Sequence, residues 1–231
     1  GVVVETVLIE TEGDRRAPDT AWGEGAFVGA IEQALLDGRV DVAVHSAKDV
    51  PIDDDARLRI VAYLARADPR DVLVVREGSP ARRLAALARG STIGTDSPRR
   101  TGFLRARRPD LCVQPLHGNV DTRLRRLDEG AVDALVLAAA GLERLGRSAR
   151  ISERFSAEEL PPAPGQGAIC LQARADDERM AALGAAVDDP STRIAVEAER
   201  VLLAATGGGC RAPVGALATV AANGELQIVA G

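Results

Sequence analysis

Short apolar runs alternate along the chain with stretches whose apolar residues recur at the spacing of a helix face. Residues 2–9, 40–44, 58–64, 71–75, 92–95, 111–115, 132–137 and 168–173 are rich in β-branched and aliphatic residues and read as strands. Residues 26–36, 81–88, 98–107, a segment opening at Asn119, 178–187 and 191–205 carry the helical period. Gly38 stops the first of these helices, and Ser97 followed by Pro98 is the expected N-cap and first turn of the third. Two further strands are expected before Gly231. Strand and helix in regular succession predict an α/β protein with parallel sheets flanked by helices. The segment Pro161-Pro162-Ala163-Pro164-Gly165 is the strongest break in the pattern and is expected to form a hinge or crossover.

Composition narrows the picture. At 231 residues, 46% hydrophobic and 27% charged, the chain fits one or two domains with sizeable cores and is not a disordered polymer. Its longest apolar run, 134–142, is about half of a membrane span, and no charged-then-apolar signal segment opens the chain. A cytoplasmic protein with no membrane partner is therefore expected. A net charge of −5 and five aromatic side chains supply neither the basic face nor the stacking platform of a nucleic-acid binder. The opening Gly1-Val2-Val3-Val4, with Met180 as the only methionine, reads as the inside of a strand, so the chain is expected to be a fragment.

Three cysteines, odd in number and far apart, suggest neither a disulfide framework nor a metal site. Cys112 and Cys170 lie in strand-like runs, where a thiol is expected to be buried as a small hydrophobe. Cys210 follows Gly207-Gly208-Gly209, which remove side-chain cover and make it the thiol most open to another molecule.

In open α/β sheets ligands bind beyond the carboxyl ends of strands, and three such junctions carry unusual chemistry. The first is His45-Ser46-Ala47-Lys48-Asp49-Val50-Pro51, in which Lys48 is the only lysine among 29 basic residues. One ammonium among so many guanidinium groups points to a task for that particular cation, although a solvated turn with Asp49 pairing Lys48 explains the same residues. The second is Gly94-Thr95-Asp96-Ser97-Pro98-Arg99-Arg100, a strand end followed by a capped helix with two arginines in its first turn. This is an anion site made of backbone N–H groups and guanidinium forks, or else a capped helix with a basic surface. The third, Leu116-His117-Gly118-Asn119-Val120-Asp121-Thr122-Arg123, repeats the arrangement, with Asn119 as cap and Arg123 one turn on. Arg144 either joins this cluster or forms a surface ion pair. Several arginines around a cleft and an accessible thiol suggest a polycarboxylate or phosphate ligand, tethered or free. A two-lobed module that closes on such an anion without chemistry satisfies the same residues, but leaves the thiol without a purpose.

These segments, together with Pro164-Gly165-Gln166-Gly167-Ala168 and Gly208-Gly209-Cys210-Arg211-Ala212-Pro213-Val214-Gly215, occur in the order and spacing of the porphobilinogen deaminases, or hydroxymethylbilane synthases. The chain resembles that family over nearly its whole length, shortened at both ends. The resemblance implies two doubly wound α/β domains like the lobes of type II periplasmic binding proteins, residues 1–66 with 165–186 and residues 67–164, and a partial α+β domain over 187–231. It implies a transferase that deaminates porphobilinogen and polymerises it to hydroxymethylbilane on a dipyrromethane cofactor held covalently by Cys210. Asp49 matches the catalytic aspartate. Ser46, Lys48, Thr95, Ser97, Arg99 and Arg100 match cofactor-binding positions, and His117, Asn119, Arg123, Arg144 and Gln166 substrate-binding ones. The expected form is a monomer whose partner is its small-molecule substrate. His117 stands where the family usually has arginine, and Glu24 where lysine is common, departures that motivate the alternative of a degenerate paralogue.

Overall fold

The computed structural model describes residues 2–11, 28–52, 55–207 and 212–231. Helix α1 (Gly29–Leu36) precedes strand β1 (Ala43–Ser46), a single 3-10 turn (Ala47–Asp49) and strand β2 (Leu58–Tyr63). Next come β3 (Asp71–Val75), β4 (Thr92–Gly94), α2 (Pro98–Arg107), β5 (Cys112–Gln114), α3 (Val120–Asp128), β6 (Ala134–Ala138), α4 (Ala139–Arg144) and β7 (Glu153–Arg154). The chain then returns through β8 (Ile169–Arg174), α5 (Glu178–Ala185) and α6 (Pro190–Ala205) to the hairpin of β9 (Ala216–Val220) and β10 (Leu226–Ala230).

The elements form three sheets, ordered β1-β8-β2, β5-β4-β6-β3-β7 and β10-β9. The α/β class read from the alternation holds, but the expected parallel sheets do not: the five-stranded sheet is mixed and the other two are antiparallel. Only β4 with β5 and β4 with β6 run parallel, while β8 is antiparallel to both of its neighbours and β3 antiparallel to β6 and β7. A strand buried on both faces reads as the same apolar run in either direction, so direction was not encoded in the pattern.

The five-stranded sheet explains its own run lengths. Leu73, Val75, Ala134 and Val136 enter one core cluster, while Val72, Val74, Leu135 and Leu137 enter the other. Alternate residues of a strand point to opposite faces, so burial on both sides demands continuous apolar runs. Helix α2 starts as expected, with the Ser97 hydroxyl accepting from the Arg100 amide and Pro98 in the first turn. The expected crossover is also real, since the 161–168 connection leads from β7 back to β8 in the other sheet.

Three local expectations are corrected. Residues 2–9 form no strand and are mostly exposed, because β-prone residues become a strand only where a ladder receives their backbone groups, and no described strand pairs with them. Residues 81–88 hold a short 3-10 turn, Leu84–Ala86, rather than a helix. The Arg108 guanidinium takes the Leu84 and Leu87 carbonyls at 2.6 and 2.9 Å, satisfying outside a helix the groups a helix would have paired. Cys112 is exposed, unlike the buried Cys170, because β5 is the edge strand of its sheet. Among the described residues no helix is long and apolar enough to cross a membrane.

Candidate functional site

Strand β1 runs further than its apolar pattern suggests. His45 and Ser46 are still in the ladder, opposite Cys170 and Ile169. His45 is buried and lies 3.0 Å from Gln172 Oε1, and Gln172 in turn donates to Glu32 at 3.0 Å. Burial pushes the His45 pKa down, against the raising effects of that hydrogen bond and of Glu32 and Asp49. Ser46 is half-buried at the strand end. The 3-10 turn then turns Lys48 inward and leaves Asp49 exposed.

The centre of the site is a carboxylate that the sequence reading did not single out. Asp71, fully buried at the head of β3, accepts from Arg99 Nη1 at 2.6 Å, Arg100 Nε at 2.9 Å, Arg100 Nη2 at 2.6 Å and Gln166 Nε2 at 3.1 Å. Burial raises its pKa, but Arg100 and Arg99 outweigh that and hold it below the ordinary aspartate value. Gln166 carries the network onward, with its Oε1 3.4 Å from both Lys48 Nζ and Arg100 Nη2. Burial lowers the Lys48 pKa, with Asp49 opposing and Arg100 reinforcing the shift. The close approach depends on glycine: a Cβ at Gly165, whose φ is +76°, would sit 3.0 Å from the backbone of Ala47 and Lys48.

A second carboxylate organises the neighbouring junction. Asp96 Oδ2 accepts from Arg123 Nη2 at 3.1 Å and lies 2.9 Å from His117 Nδ1, while Oδ1 accepts from the Leu116 amide. Burial lowers the Arg123 pKa, opposed by Asp96 and reinforced by Arg100. Thr95 is buried, with its hydroxyl accepting from the Ser97 amide at 3.3 Å. Ser97 and Asn119 cap α2 and α3. Arg144 is exposed and donates to the Gly167 carbonyl at 2.8 Å, next to Gln166.

The structure thus brings Lys48, Arg99, Arg100 and Gln166 into one hydrogen-bonded network, sets Arg144 one residue away, and places Arg123 and His117 on an adjoining one. Thr95, Ser97 and Asn119 are engaged in the turns that shape these junctions. Glu24, Cys210 and the Gly208–Gly209 loop lie outside the described residues. The sequence reading missed Asp71 and also Glu199, yet each left a signal. Asp71 opens a run that is otherwise all aliphatic, and Glu199 falls in the buried stripe of α6 with Thr192, Ala195, Val196 and Leu203. Among the described residues no group of three or more acidic, histidine or cysteine side chains could hold a metal.

A five-stranded mixed sheet and a three-stranded antiparallel one, linked by connections at whose meeting Lys48, Arg99 and Arg100 gather around Asp71 and Gln166, define an α/β protein with a cationic cluster at the junction of its sheets. The sequence model described as "Porphobilinogen deaminase, dipyromethane cofactor binding domain" matches residues 1–182, and that described as "Porphobilinogen deaminase, C-terminal domain" matches residues 193–231. The porphobilinogen deaminase of Acidothermus cellulolyticus is 50% identical, with 99% of this chain and 70% of that protein covered. That of a Roseiflexus species is 51% identical (94% and 72% covered), and that of Mycolicibacterium paratuberculosis 49% identical (95% and 69% covered). The chain belongs to the porphobilinogen deaminase family.

Proposed function

We propose that the chain deaminates porphobilinogen and joins the pyrrole units, on a dipyrromethane held by Cys210, into hydroxymethylbilane. The observation that carries this reading is the cluster of Lys48, Arg99 and Arg100 around Asp71 and Gln166, with the exposed Asp49 beside it. Each pyrrole bears acetate and propionate groups, and the three cations Lys48, Arg99 and Arg100 outnumber the neighbouring Asp71 and Asp49, which keeps a positive surplus for such ligands. The donor set therefore fits a dipyrromethane, which when bound supplies the pyrrole carbon that accepts the next unit.

In this reading Lys48 and Arg99 bind carboxylates of the tethered chain, with Ser46, Thr95 and Ser97 lining its path and Arg100 behind them. Arg123, Arg144, His117, Asn119 and Gln166 receive the incoming pyrrole. Each addition breaks the aminomethyl C–N bond of porphobilinogen, releasing ammonia, and forms one C–C bond with loss of a pyrrole proton. Asp49, a carboxylate at the open end of the turn, holds the pyrrole N–H and stabilises the azafulvene cation left by deamination. The lobes correspond to residues 1–66 with 165–186 and to 67–164, the cysteine-bearing part to 187–231, and the working form is a cytoplasmic monomer.

Intact mass of the purified chain after incubation with porphobilinogen tests the reading. An added dipyrrole mapping to Cys210 and absent from Cys210→Ser is expected; a wild-type chain that folds yet stays unmodified overturns it.

A further inference from the structure

Arg99 and Arg100 are adjacent, buried and bound to the same carboxylate, but they are not equivalent. Every nitrogen of the Arg100 guanidinium is used inside the protein: Nε and Nη2 donate to Asp71, Nη2 also approaches Gln166, and Nη1 donates to the Val136 carbonyl at 3.0 Å. Arg99 commits only Nη1, to Asp71 Oδ2 at 2.6 Å and the Pro161 carbonyl at 2.7 Å. Its Nε and Nη2 edge donates to no described protein group, and the geometry of a guanidinium leaves that edge suited to a bidentate carboxylate.

What holds Arg99 in this attitude is Asp71, whose own position is rigid. Its backbone pairs with Ala138 in the sheet, and its carbonyl accepts from the Phe155 amide at 3.0 Å. One carboxylate oxygen is occupied by Arg100 and Gln166, and the other is left for Arg99.

We infer that Asp71 is a positioning residue for ligand binding: it aims the free edge of Arg99 at a pyrrole carboxylate, while Arg100 serves as the internal brace that keeps Asp71 in place. The inference rests on the proposed function and goes beyond it by dividing two neighbouring arginines into one ligand-facing group and one structural group, with a buried aspartate as the part that makes the difference.

The test is a double-mutant cycle on cofactor loading. Wild type, Asp71→Asn, Arg99→Gln and the double variant are prepared without cofactor and incubated with porphobilinogen, with uptake followed by intact mass and folding by circular dichroism. Each single variant is expected to load at least tenfold more slowly, and the double variant no more than about threefold more slowly than the slower single. Effects that multiply in the double variant, or an Asp71→Asn chain that loads at the wild-type rate, overturn the inference. If Asp71→Asn does not fold, the wild-type chain decides by the arginine Nε–H resonances, assigned through Arg99→Lys and Arg100→Lys. On loading, the Arg99 signal is expected to shift while that of Arg100 stays; equal shifts overturn the inference. A wild-type chain that takes up no dipyrrole instead removes the underlying functional reading, a result distinguishable from all of these.

Discussion

Arg66 grips Glu199 with two hydrogen bonds, Nη1 to Oε1 at 2.6 Å and Nη2 to Oε2 at 3.0 Å, and the carboxylate is wholly closed to solvent. The pair joins the segment after β2 to α6 and controls more than its own two residues. Arg66 Nε also donates to the Gln166 carbonyl at 2.9 Å, while Glu199 accepts from the Gly165 amide at 2.7 Å and the Ala218 amide at 2.8 Å. Every lone pair that burial would leave costly is thereby used, which is the condition under which a buried charge is tolerated. The loop that carries Gln166 to Lys48 and Arg100 is held from behind by this pair.

Removing one partner strands the other. Glu199→Ala is expected to lower the unfolding free energy by about 3–5 kcal/mol, whereas Arg66→Met with Glu199→Leu, which leaves the same Gly165 and Ala218 amides unpaired but strands no charge, loses less. Urea unfolding of the three chains checks this; a double variant as unstable as the single one would contradict it.

Lys48 is held at a cost. Because burial lowers its pKa, the unfolded chain binds more protons between the folded value and the ordinary lysine value, and stability rises with pH across that window. Lys48→Met is therefore expected to be at least as stable as wild type below the window, yet to load the dipyrromethane at least tenfold more slowly. Wild-type loading should also weaken at a lower pH than an ordinary lysine would dictate, and Lys48→Arg should move that limit upward. Urea midpoints and intact-mass loading rates over a pH series measure the two effects.

His45 acts with the same sign as Lys48, but in a window at lower pH. Its folded pKa lies below the ordinary histidine value of about 6.5, so the unfolded chain binds the extra proton first and stability falls as pH drops from there through the folded value. His45→Gln is expected to remove up to about 1.4 kcal/mol per pH unit from that slope. Urea midpoints of wild type and variant at mildly acidic pH should converge; parallel slopes would refute the assignment.

Asp49 is exposed, so its replacement is expected to change stability by no more than about 0.5 kcal/mol. The cost falls on chemistry: Asp49→Asn should lower kcat by about a hundredfold or more while cofactor loading persists. Single-turnover measurements on the loaded variant separate the two effects.

Much of the site was legible because its residues are rare or oddly placed: one lysine in an arginine-rich chain, and two capped helices opening with polar residues after short strands. The anionic halves were harder to see. Asp71 and Glu199 are ordinary residues among 34 acidic ones, and only their places in buried patterns mark them. Asp96 lies inside the Gly94-to-Arg100 segment, but its grip on Arg123 and His117 needs the Leu116 amide from the next junction to complete it.

By itself the sequence determined the alternation of strand and helix, the Ser97 and Asn119 caps, the crossover at 161–165 and the family, since these rest on local periodicity, local hydrogen bonding and motif order. Only the tertiary structure decided strand direction, the absence of a strand at 2–9 and of a helix at 81–88, and which groups each cation is bonded to. Those outcomes depend on partners distant in sequence: Arg99 and Arg100 share a chemical identity, and what separates them is the geometry of their bonds to one buried carboxylate and to the Pro161 and Val136 carbonyls.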